Sequence, residues 1–140
     1  MISTWIRRLT DSLGLGSLKA ERLIASFDRD RDRHQREYFQ RAASTGRPRG
    51  LRWVGCEWLS HRVILLDRTT QQPNLLVSIN LRFEAVEGGD MEDVAAVANV
   101  RDACAVFQWT ANAWQTSGRT LFNMNPDEAR ERLAGSYEPM

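Results

Sequence analysis

From Leu75 to Glu87 the chain alternates. Leu75, Val77, Ile79, Leu81, Phe83 and Ala85 stand at the odd positions, with Ser78, Asn80, Arg82 and Glu84 between them. Successive side chains of a strand point to opposite faces, so the pattern predicts one long β-strand with an apolar face and a wet face. Such a two-sided strand belongs to an antiparallel sheet covered on one side. The rest of the chain must supply the cover and the neighbouring strands.

The cover is predicted to be a helix over residues 18–43, with Ser17 as its N-cap. Ala20, Leu23, Ile24 and Phe27 form a stripe at helical spacing, and Tyr38, Phe39 and Ala42 resume it. Between them lies the charged run DRDRDRHQRE, residues 28–37, where Asp32–Arg36 and Arg33–Glu37 are helix-favouring pairs four apart. Its charge leads us to expect a solvated middle, with only the two ends packed. Residues 1–16 form a separate segment ahead of a single domain over 17–140. Ile2, Trp5, Ile6, Leu9 and Leu13 recur there at helical spacing beside Arg7 and Arg8. That pattern suits a short helix laid on its own domain or, less favoured, on a membrane surface.

Leu51 opens the β region. Val54, Cys56 and Trp58 share one parity; Leu51, Trp53 and Leu59 share the other. Ser60-His61 is expected to turn the chain into a strand over 63–67. Residues 69–74, with Pro73, then make a hairpin into the long strand, completing a three-strand meander. After Gly88-Gly89-Asp90, residues 91–98 read as a short helix with Glu92 and Asp93 in its first turn. Ala103–Trp109 is a strand apolar on both faces, turned at 110–113 and returning from Trp114 to Phe122. Asn125-Pro126-Asp127-Glu128 starts a last helix that Gly135 stops.

The fold class is therefore α+β, an N-terminal helix packed on an antiparallel sheet of about five strands in the order α-βββ-α-ββ-α. Across residues 17–134 this order resembles the secretion-chaperone-like fold, small dimeric proteins that bind a partner along a sheet and helix surface. It equally resembles cystatin-like folds, in which a curved antiparallel sheet cradles a helix.

Composition narrows the class. A chain of 140 residues is one domain by length, and 42% hydrophobic with 26% charged is a globular balance. No run approaches the roughly 18 apolar residues of a membrane span. The arginines interrupt the N-terminus, so it does not read as a signal peptide. With two cysteines and no export signal, a reducing cytoplasm is the expected location. Residues 1–52 carry twelve Lys/Arg against six Asp/Glu, and residues 53–140 carry seven against twelve. Two such parts attract each other, within one chain or between copies.

No catalytic, metal or cofactor signature emerges. Cys56 and Cys104 sit among apolar strand residues and read as core thiols rather than nucleophiles served by His34 or His61. Their pairing in a disulfide is left open at this stage. The acids around Gly88-Gly89 lack the spacing of a calcium loop. Gly46-Arg47-Pro48 with Arg49 resembles the core of an AT-hook, whose arginines enter a narrow minor groove. The same residues suit a linker between helix and strand, and nucleic acid is the disfavoured reading.

Tryptophan carries the more suggestive pattern. Trp53, Trp58, Trp109 and Trp114 all fall in the predicted sheet. Trp53 and Trp58 differ in parity, so on an unbulged strand one of them faces outward or lies at an edge, where tryptophan favours interfaces. A single bulge would exchange these faces. The leading expectation is a non-enzymatic protein-binding module that pairs with itself, using these tryptophans with Arg47 and Arg49. A second is a ligand-binding or hydrolytic pocket in a cystatin-like sheet, lined by Glu57, His61 and Glu84. A third is anion or nucleic-acid binding through Arg31, Arg33, Arg47 and Arg49.

Overall fold

A computed structural model describes residues 15–89 and 100–140. Two helices, α1 (Leu15–Arg29) and α2 (Arg31–Ala43), are followed by the long strands β1 (Leu51–Asp67) and β2 (Pro73–Ala85). Then come β3 (Arg101–Thr110), β4 (Ala113–Gln115), β5 (Thr120–Phe122), helix α3 (Pro126–Arg132) and β6 (Tyr137–Pro139). The α+β class holds: the six strands form one antiparallel sheet in the order β4-β3-β2-β1-β6, with β5 sharing the outer edge of β3. Among the described residues no helix is long and apolar enough to cross a membrane. The N-terminal stretch 1–14 and the helix read at 91–98 lie outside the described residues.

The organising strand behaves as its alternation requires. Leu75, Val77, Ile79, Leu81 and Phe83 are all buried on one face, joined there by Ala103, Ala105 and Phe107 of β3. Leu23 and Phe27 of α1 and Tyr38 and Ala42 of α2 close over them. The opposite face is wet only at one end. Arg82 and Glu84 are exposed, but Leu76 and Ser78 are buried. There Ala129 of α3 and Tyr137 of β6 join Leu76, Cys104, Val106 and Leu65 in a second, smaller core. The one-sided cover expected from the pattern thus gives way to a sheet covered on both faces at one end.

The helix read as continuous is in fact two, and it begins ahead of Ser17, which is therefore not an N-cap. The break falls at Asp30, whose N–H bonds the Phe27 carbonyl three residues back instead of continuing the α ladder. The charged run is not solvated throughout either. His34 is buried, stacked on Phe27 at 5.0 Å across the break and edge-on to Phe107 at 6.2 Å.

Two other expectations change for backbone reasons. The turn expected at Ser60-His61 is absent: β1 runs unbroken past it, and the three residues between Trp58 and Arg62 are accommodated as an irregularity of the β1–β2 ladder. The return strand expected from Trp114 to Phe122 divides into β4 and β5, because Gly118 bends the chain at φ +85°. The turn before it uses Ala111 and Asn112, both at positive φ. Helix α3 starts as its sequence dictates, with Asn125 and Glu128 forming a reciprocal capping box around Pro126. Strand β6 carried no sequence signal; it adds to β1 only at Leu65–Asp67.

Candidate interaction site

Strand β1 is an edge strand for most of its length. Among the described residues, its outer edge from Leu51 to Ile64 has no strand partner, whereas the opposite rim of the sheet is closed by β4 and β5. An unpaired edge presents a row of backbone donors and acceptors to any extended chain that approaches it.

The face assignments along this edge follow from one bulge. Trp53 pairs with Phe83, yet the next ladder pair is Gly55 with Arg82, so Val54 is an inserted residue. The insertion resets the parity of β1. Cys56 pairs with Leu81 and Trp58 with Ile79, so both follow Trp53 onto the helix-covered face. Neither tryptophan faces outward; of the two expected alternatives, the edge position is the one Trp58 takes. Trp53 is buried against Phe83 at 5.3 Å, and Trp58 is half-buried at 5.4 Å from Tyr38. Trp53 also donates from Nε1 to the Arg47 carbonyl at 2.7 Å, anchoring the linker between α2 and β1. Trp114 is buried and bonds the Leu23 carbonyl at 2.8 Å, with Trp109 stacked edge-on to it at 5.4 Å. All four tryptophans therefore sit on the helix side of the sheet, and of these Trp58 borders the open edge.

A groove of about 620 Å³ runs between the flank of α2 and this edge. Phe39, Val54, Cys56 and Trp58 line its apolar part, with Asp32 and Arg36 at its lip. Val54 is 45% exposed, one of the few large apolar side chains left in solvent. A second cleft, of about 330 Å³, opens on the other face of the same edge, among Glu57, Asn80, Arg82 and Val100. Gly55 and Cys56 border both. Asn80 Oδ1 is shielded there without a hydrogen-bond partner. Arg82 and Glu57 form no ion pair among the described residues; Glu84, one row further, is engaged by Arg52.

The polar residues read as a possible pocket do not converge. Glu57 pairs with Asn80 and Glu84 lies four residues beyond Asn80 on β2, about 13 Å along the strand. His61 points elsewhere, bonding Asp127 of α3 at 3.1 Å. Nor do the thiols meet: Cys56 belongs to the helix face and Cys104 to the α3 face, where its Sγ donates to the Met124 carbonyl at 3.4 Å. Burial pushes both thiols up to about 12, so neither is a thiolate at neutral pH. Among the described residues no cluster of His, Cys, Asp or Glu is arranged to hold a metal.

Arg47 and Arg49 are exposed in the linker, and Arg31 and Arg33 lie on the outward face of the helix pair. Arg33, Arg36 and Arg41 line a shallow depression of about 450 Å³ on α2, with Arg33 tied to Asp30 and Arg41 to Glu37. Sequence reasoning missed Gly55, Phe39 and Arg82 as site residues. Phe39 was visible as part of the helical stripe, but only the pairing register brings Arg82 beside Gly55. Comparison with protein-family models, curated proteins and solved structures finds no match for this chain.

Proposed function

We propose that this chain is a non-enzymatic, cytoplasmic protein-binding module that takes up an extended polypeptide along the outer edge of β1. The observation that carries this reading is that, among the described residues, the edge from Leu51 to Ile64 has no strand partner and is flanked on its two faces by clefts that meet at Gly55 and Cys56. An added strand sends alternate side chains to opposite faces, so one cleft receives its odd residues and the other its even ones. Main-chain hydrogen bonds then give affinity and the clefts give selectivity. The reading accords with the secretion-chaperone-like resemblance, in which a partner lies along sheet and helix. A cystatin-like relation would instead place function in the concavity that α1 and α2 already fill.

The test is selection of displayed peptides on the whole protein, followed by amide hydrogen exchange of the complex. Enriched peptides are expected to slow exchange along 51–58 and leave β4 unchanged, and Val54→Lys is expected to abolish their binding. Peptides that protect only other elements would overturn the reading.

A second reading rests on the arginine-lined face of α2, which offers Arg33, Arg36 and Arg41 to an anion. Its exposed ion pairs with Asp30 and Glu37 are weak enough to exchange for phosphate contacts. Polyanion binding there would fall steeply with salt, whereas strand addition would not.

A further inference from the structure

We infer that the strand taken up by β1 is the β1 of a second copy, added antiparallel about a two-fold axis through Cys56. The inference rests on the strand-addition reading above and names its partner.

The edge is complementary to itself. A two-fold axis perpendicular to the sheet keeps each face on its own side, so helix-side residues meet helix-side residues. Centred on Cys56, it sets Val54 of each copy opposite Trp58 of the other, both on the face flanked by α2. The apolar groove is then filled by the apolar side chains of an identical strand. On the opposite face, Gly55 of one copy meets Glu57 of the other. Gly55 has no side chain, and a Cβ built there would meet only the Arg82 Cβ, at 3.7 Å. Arg82 pairs with Gly55 in the ladder, so the vacant position gives the incoming Glu57 carboxylate a path to the Arg82 guanidinium. Neither group has an ion-pair partner within its own chain among the described residues. The symmetry makes this contact twice, and the outward alternation of β1, apolar toward α2 and acidic toward Arg82, is the pattern its own clefts call for.

The experiment is sedimentation velocity on the full chain over a concentration series, for the native protein and four variants. The native chain is expected to form a dimer that persists in salt. Val54→Lys is expected to give a folded monomer, since Val54 is already half in solvent. Glu57→Arg and Arg82→Glu each bring like charges together twice, and each is expected to weaken the dimer roughly tenfold. Combining the two reversals restores opposite charges and is expected to return the native affinity. A chain that stays monomeric at every concentration, or a dimer indifferent to Val54→Lys and to the reversals, overturns the inference. A monomer whose β1 is still protected by selected peptides would leave strand addition standing with a foreign partner; a monomer without such protection would remove both.

Discussion

The ring of His34 lies 5.0 Å from that of Phe27, stacked at 17°, across the break that separates α1 from α2. Phe107 of β3 meets both rings, at 4.8 Å from Phe27 and 6.2 Å from His34. A titratable group thus occupies the joint of the helix pair, in the middle of the most charged stretch of the sequence.

Burial is the main cause that lowers the His34 pKa below its ordinary 6.5; Arg33 adds to it, while Asp30 and Glu37 oppose it. The folded protein therefore holds fewer protons than the unfolded chain as pH drops below 6.5, and stability declines with falling pH in that window. Above 6.5 the contribution is complete. Urea unfolding between pH 5 and 8 should show this slope, and His34→Phe should flatten it. An unchanged slope in His34→Phe would assign the effect elsewhere.

Removing Val54 should cost the fold less than removing Glu57. Without Val54 the bulge disappears, and Gly55, Cys56 and Trp58 follow Trp53 in regular alternation against Arg82, Leu81 and Ile79, the partners they already have. Deleting Glu57 has no such outcome: Cys56 or Trp58 must turn from the helix face to the outer face. We expect a loss of about 1–3 kcal/mol for that deletion and under about 1 kcal/mol for the removal of Val54. Chemical denaturation of the two variants separates the cases, and equal midpoints would contradict Val54 as the inserted residue.

Gly118 sits at φ +85°, and a Cβ there would lie 2.5 Å from the Ala42 backbone nitrogen. Gly118→Ala must push the β4–β5 link away from the end of α2. We expect a loss of about 2–4 kcal/mol, combining backbone strain with the clash. Gly135, with open space around it, should accept alanine at little cost. Thermal melts of both variants provide the comparison.

Both thiols should be slow to react in the native state. With each pushed up to about 12 by burial, native Cys56 and Cys104 should react with a small thiol reagent at pH 8 more slowly than a free cysteine by about tenfold or more, the higher nucleophilicity of the thiolate offsetting part of its scarcity. Reaction of both should become complete in denaturant. Rapid labelling of either in the native protein would show that its burial is not maintained in solution.

Much of the framework was legible in one dimension. The alternation from Leu75 to Phe83 identified the central strand and its buried face, because a period of two has one structural meaning when every second residue is apolar. The Asn125-Pro126 start of α3 was equally local: its cap, its proline and its Glu128 act within one turn. Position 34 was different. A histidine among arginines and aspartates gives no local sign of burial, and only the break at Asp30 brings it under Phe27.

The candidate site was less legible, for the same reason. Trp58 could be named from the sequence, but its facing depends on an inserted residue that the pattern of β1 alone does not reveal. Arg82 reads as an ordinary wet-face residue until the register places it beside a glycine.

Local pattern was enough for the α+β class, the strand that carries the core and the start of α3, since periodicity and capping are properties of neighbouring residues. Long-range packing settled which tryptophans share a face and, among the described residues, which edge stays open and which charges stand without ion-pair partners. Those depend on how β1 registers against β2 across the Val54 bulge, a balance of packing between segments that no single segment encodes.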